Sequence, residues 1–241
     1  MITMKYFSSL LCFVIFASFS SVNAQTVEEI VNKHLAAIGG KQVLSSIQSV
    51  KMENQMEVMG NDATTVITIV NGKGYKTESE IMGAKMVQVI NGKGGWMINP
   101  MAGGSEAQDI PAEVAKQASN NLFIVPLLDH VARGINLSLE GKENIDGSEA
   151  FKMKVTNKEG SDVTMYIDAT KFYLVRLVQT ADMMGQTVTN TVTYSDFRKT
   201  ESGWVVPYVT DMDMGGMIQL KNKLSKIEVN PSIDPSVFDK K

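Results

Sequence analysis

Cysteine is nearly missing from this chain: 241 residues hold one, Cys12. Beyond the first 24 residues there is none, which excludes thiol nucleophiles, thiolate metal sites and disulfide staples, so an apolar core must hold the fold. Histidine is almost as scarce. His34 and His130 lack the spacing and the third ligand that a zinc site needs. G-x-S-x-G and any strand-helix elbow are absent, so no serine nucleophile is indicated. Charge of one sign is missing too. The chain has 23 bases and 26 acids, and of these only Lys5 lies in the first 24 residues, leaving 22 against 26, a formal −4. Such a balance carries no footprint for nucleic acid. The expectation is a protein with no enzyme chemistry, no metal and no cofactor.

A long apolar run is also lacking. "MITMKYFSSLLCFVIFASFSSVNA" carries Lys5, an apolar stretch from about Leu10 to Phe19 and a small-x-small ending at Val22-Asn23-Ala24. That pattern predicts a cleaved signal peptide over 1–24, since the stretch is too short for a permanent span. Residues 25–241 are of a length that suits a single domain.

What is present is period. "TVEEIVNKHLAAI" at 26–38 predicts an amphipathic helix, with Thr26 and Glu29 as capping box and Gly39 or Gly40 as stop. A short second helix is expected over about 40–46. From Val50 the period falls to two: "VKMENQMEV" sets Val50, Met52, Met56 and Val58 against Lys51, Glu53, Gln55 and Glu57. Asn54 is the single polar intruder on the apolar side. About eleven or twelve such strands follow, antiparallel by their turns. One insert interrupts them. "DIPAEVAKQAS", with Asp109 as expected N-cap, and "NNLFIVPLLDHVARG", with Pro126 as a kink, read as helical.

Glycine clusters tempt a phosphate reading. "VNGKGYK" at 70–76 recurs as "INGKGGW" at 90–96, yet Lys93 is followed by Gly94 rather than Ser or Thr, and Met97 breaks G-x-G-x-x-G. Neither copy leads into a helix. Asn-Gly between strands predicts type I′ hairpins instead. Asp211 and Asp213 share a strand face near a turn; a solvated strand end is the simpler reading than a cation site.

Methionine is the one excess: 14 of the residues after position 24. "MDMGGM" at 212–217 brings thioethers together without imidazole or thiolate, which argues against copper(I). Flexible thioethers suit a deformable core or a pliable apolar cavity equally.

The order of elements resembles the outer-membrane lipoprotein-sorting-protein-like family, with the LolA/LolB-like fold of periplasmic lipoprotein carriers. The segments that carry the likeness are "AAIGGKQVLSSIQSVKM", "PLLDHVARG", "LEGKENIDGSEAFKMKVT", "YIDATKFYLVRL", "YSDFRKTESGWVVPYV" and "SKIEVNPSIDPSVFDK". The resemblance implies an α+β fold: an unclosed, curved antiparallel half-barrel with an N-terminal helix and a helical lid or plug. It also implies a periplasmic carrier, associated with the outer membrane, that holds lipid or lipoprotein acyl chains between sheet and lid. Its partners would be the outer- or inner-membrane lipoprotein machinery. On that reading Met52, Met56, Trp96, Ile98, Trp204, Tyr208, Met212 and Met214 line the concave side, and Phe123, Leu127 and Leu128 face them from the lid. The carriers use an arginine in an early strand. Here the arginines are Arg133, Arg176 and Arg198, so none is carried over, and binding of an apolar ligand is a safer inference than lipoprotein shuttling. The alternative is a structural domain whose half-barrel is filled by its own side chains.

Overall fold

The computed structural model describes residues 25–58, 61–157, 162–183 and 186–240. The expected signal peptide lies outside the described residues. α1 (Val27–Ala37) opens with the expected capping box: Thr26 Oγ1 accepts from Glu29 N at 3.2 Å, and Glu29 Oε2 from Thr26 N at 3.1 Å. α2 (Gly40–Ser46) follows across Gly39, whose φ of 136° requires glycine.

Thirteen strands then form one unclosed, curved antiparallel sheet. The first six are β1 (Ser49–Val58), β2 (Asn61–Val70), β3 (Gly74–Ile81), β4 (Ala84–Asn91), β5 (Gly94–Asn99) and β6 (Gly104–Asp109). The last seven are β7 (Asn136–Ile145), β8 (Ser148–Thr156), β9 (Asp162–Asp168), β10 (Leu174–Met183), β11 (Gln186–Lys199), β12 (Val205–Met214) and β13 (Ile218–Val229). Each half is a meander. They are joined where β1 pairs β13, Val50 opposite Val229, so β6 and β7 are the two edges. β6 was not expected as a strand, because "GSEAQD" has no apolar alternation. Backbone pairing to β5, Trp96 opposite Asp109, makes it one.

Between the edges runs the insert. α3 (Ala112–Gln117) starts from Pro111 rather than Asp109, which belongs to β6. A 3-10 turn (Ala118–Leu122) follows. The expected helix beyond Leu122 is not formed. Pro126 lacks an N–H and Asp129 sits at φ 54°, so the segment closes as successive turns, with Leu128 N bonding Val125 O and Ile135 N bonding His130 O. We call residues 123–134 the strap.

The inner face of the sheet is the one α1 covers. Ile30, Val31, Leu35, Leu44, Val50, Met153, Ile167, Trp204 and Val206 are buried in a single cluster there, with Leu127 from the strap. Both repeated hairpins form, but not as type I′ turns. In the first, Gly72 alone has positive φ, 70°. The asparagines have tertiary tasks instead: Asn71 Oδ1 accepts from Ile124 N of the strap at 3.2 Å, and Asn91 Nδ2 donates to Phe238 O at 3.2 Å.

Candidate functional site

Cross-strand partners lie on the same face of a sheet, so register assigns every side chain. Met52 pairs with Ile67, Ile67 with Thr77, Thr77 with Gln88 and Gln88 with Met97, and Met52 pairs with Ile227 on the other side. That row is on the inner face. Trp96 belongs to the alternate row, with Val89, Lys76, Thr68 and Lys51. Ile98 lies with Val87, Glu78 and Val66. Both therefore stand on the outer face, and their expected place on the concave side is corrected. Trp96 and Ile98 do share a face, as alternation predicts. Which parity faced inward depended on long-range register, which a single strand does not contain. Trp96 is buried there beneath the C-terminal tail, its indole N–H donating to Phe238 O at 3.1 Å.

The other expected residues divide into three groups. Trp204 and Leu127 are buried, and Leu128 half-buried, in the core under α1; there the half-barrel is filled by the protein itself. Phe123 packs with Ile90, Ile110, Ala115 and Leu122, and the Arg133 guanidinium lies 4.0 Å from its ring centroid. Arg133 also donates to Pro126 O, while its Nε and Nη1 are buried without hydrogen-bond partners among the described residues; burial pulls its pKa down against the pull of Asp129. Met56 and Met212 are half-buried on the inner face outside the core cluster, whereas Tyr208 packs against that cluster, with the Arg198 guanidinium 4.5 Å from its ring centroid. Met214 is 37% exposed.

That outlying half of the inner face is the candidate site. Three rows cross it. Tyr194, Thr210, Asn222, Met56, Ala63 and Ile81 form one; Leu177, Val192, Met212 and Leu220 the next; Gln179, Asn190, Met214 and Ile218 the outermost. None of these side chains is charged, whereas the alternate rows carry Glu53, Asp211, Asp213, Lys221 and Lys223. Asp211 pairs with Lys221 at 3.4 Å and Asp213 accepts from Gly216 N at 2.6 Å, which makes both parts of an ordinary strand end.

A second set of residues was missed by pattern reading. Thr65 and Ser79 share a hydrogen bond at 2.8 Å on the inner face, beside Asn54. A cavity of about 200 Å³ continues from them past Thr77, Met86, Gln88 and Met97. Asn222 Nδ2 donates to the Met212 thioether at 3.3 Å, a weak acceptor, while Asn222 Oδ1 and Asn190 Oδ1 are buried with no partner among the described residues. Burial pushes the Tyr194 phenol up to about 12. The intruding Asn54 was the signal available in sequence; the same intrusion recurs at 190 and 222.

A larger cavity, about 390 Å³, lies between α1 and the strap and is lined by Val31, Leu35, Leu127, His130 and Glu28. Among the described residues no cluster of three or more His, Cys, Asp or Glu could hold a metal, and no helix is long and apolar enough to cross a membrane.

The fold has known counterparts. A LolA superfamily protein from Nitrosomonas europaea superposes with a TM-score of 0.59 at 14% identity, over 90% of this chain and 99% of that one. A domain named for outer membrane lipoprotein sorting from Vibrio parahaemolyticus gives 0.58 at 12% identity, over 88% and 95%. The fold is LolA-like. A DUF1329 family protein from Desulfovibrio piger is similar as well, at 0.54 and 14% identity over 90% and 98%. No protein-family model matches the chain, and no curated protein matches it in sequence. At such identities the likeness speaks for architecture.

Proposed function

We propose that this LolA-like protein is a non-catalytic carrier or binding protein of the cell envelope, delivered to the periplasm by a leader over residues 1–24, for lipid or lipoprotein acyl chains. The observation that supports it best is the division of one sheet face. Next to α1 the inner face is filled by Trp204, Leu127 and Met153, but past Met56 and Met212 it is uncharged, methionine-bearing and uncovered by any helix. An acyl chain laid there gains about 0.8 kcal/mol for each buried methylene. Thioethers adapt to chains of different shape without a fixed pocket. The partners on this reading are the lipoprotein-handling components of the inner or outer membrane.

Native mass spectrometry of protein taken from a periplasmic fraction tests the proposal. A copurifying lipid, or a rise in Tm on adding diacylglyceryl peptide, is expected; recovery of neither would overturn it. The second reading, a self-filled domain with no ligand, is favoured by the packed half alone. It predicts that substitutions at Met56 and Met212 change nothing but solubility.

A further inference from the structure

The rows that cross the uncovered inner face are apolar with a small number of amides set into them, and two of those amides are incomplete. Asn222 and Asn190 bracket Met212 on neighbouring strands, and each has a side-chain oxygen sealed from solvent with no hydrogen-bond partner among the described residues. A buried acceptor left unpaired costs roughly 1–3 kcal/mol. Replacing either residue by leucine would abolish that cost while keeping the alternation of the strand. The amide of Asn222 uses an N–H on the Met212 sulfur, so its oxygen, the stronger acceptor, stays unpaired and takes an outside donor only when an entering ligand displaces the side chains that cover it.

The neighbours decide what kind of donor. No lysine, arginine, histidine or carboxylate shares the three rows, and Arg198, which stands beside them 4.5 Å from the Tyr208 ring centroid, is already paired with Asp196 at 2.6 Å, so a charged head over the rows would be buried without a free counter-ion. We propose that this face selects an uncharged amphiphile, whose acyl chain lies over Met56, Met212 and Leu220 and whose hydroxyl or amide N–H donates to Asn222, with Asn190 as a second acceptor. The selection rests on the carrier reading above and narrows it from any apolar ligand to neutral acyl compounds that bear a donor. The logic is that of a site built to pair a hydroxyl, which discriminates against the analogue lacking it because the protein group is then left alone.

Three palmitoyl probes of one chain length separate the possibilities: 1-monopalmitoylglycerol, methyl palmitate and palmitate, each titrated into the delipidated full-length protein by displacement of a fluorescent acyl probe. The glycerol ester is expected to bind about tenfold more tightly than the methyl ester, the worth of one buried hydrogen bond. Asn222→Leu should erase that preference while the methyl ester binds as before and Tm is equal or higher. Asn190→Leu, made separately, should reduce it and guards against a folding defect in the first variant. Equal binding of the two esters, tightest binding of palmitate, or a preference intact in both variants would overturn the selection while the carrier reading stands. Failure of all three probes, methyl palmitate included, would sink the carrier reading and the selection with it.

Discussion

Trp96 and Phe238 meet on the outer face 142 residues apart in sequence: the indole N–H donates to the Phe238 carbonyl at 3.1 Å, and the two side chains are 7% and 4% exposed. The tail after β13 is therefore part of the fold. Phe238→Ala should cost about 3–5 kcal/mol, the range for a buried phenylalanine, and Trp96→Phe about 1–2 kcal/mol for the lost hydrogen bond and volume. Urea titration measures both. Losses under 0.5 kcal/mol would mean that the tail is detached in solution.

Gly74 exists to admit that same ring. A Cβ there would stand 2.5 Å from Phe238 Cγ, and the backbone has no positive φ to explain the glycine otherwise. Gly74→Ala should destabilise by roughly 1–3 kcal/mol through overpacking. Because the clash is with one residue, Gly74→Ala combined with Phe238→Ala should cost less than the sum of the two. Strict additivity would refute the contact.

His34 makes stability depend on pH. It is buried with Nδ1–H donating to Phe172 O at 2.8 Å, and burial lowers its pKa below the ordinary value near 6.5. The unfolded chain then takes up a proton before the folded one does. This contribution is whole above about pH 6.5 and is lost as the pH falls through the depressed folded value. Stability measured from pH 7.5 to 5.5 should decline, and His34→Gln should flatten the slope. An unchanged slope would remove His34 from the account.

The two halves of the inner face should respond differently to charge. Leu127→Asp, at a position 3% exposed, should unfold the protein or cost more than about 4 kcal/mol. Met212→Asp lies on the half-buried, uncovered rows and should leave a cooperative thermal transition while abolishing acyl binding. Circular dichroism melts with probe displacement distinguish the outcomes. Binding retained in Met212→Asp would relocate the ligand to the cavity beneath the strap.

That strap is fastened to α1 at one place of interest. His130 Nδ1 faces Leu127 O at 3.1 Å and Nε2 faces Glu28 Oε1 at 3.2 Å. The Leu127 carbonyl and the Glu28 carboxylate both accept, so one side chain ties the strap to α1. Glu28→Ala should speed amide hydrogen exchange across residues 123–134 with little change in Tm. Exchange identical to wild type would show that the turns alone hold the strap.

The capping box, the alternating strands and the presence of one interrupting insert were legible because each is written in local spacing. Asp109 as cap, the helix through residues 123–134 and the face of Trp96 and Ile98 were not. Pro126 was seen, but the left-handed turn at Asp129 depends on where the strap must land. Alternation groups Trp96 with Ile98, but the inward direction came from the resemblance and not from the strand itself. The chain has a second, outer core of Val87, Val89, Trp96 and Phe238 that only the returning tail creates. The amides at 190 and 222 were passed over because each interrupts an apolar pattern by one residue, and their meaning depends on being brought to opposite sides of β12.

The pairing of β1 with β13 has a consequence for the order of folding. Val50 finds its partner in Val229, so the middle of the sheet is its most distant contact along the chain, while its outer strands pair locally. Either meander can form early, but neither α1 nor the central rows are enclosed until the last strand is available. A chain released short of β13 would carry two separate ribbons, each presenting an unfinished edge to every other copy. The two meanders are joined through the final strand, which is what makes the sheet a single object.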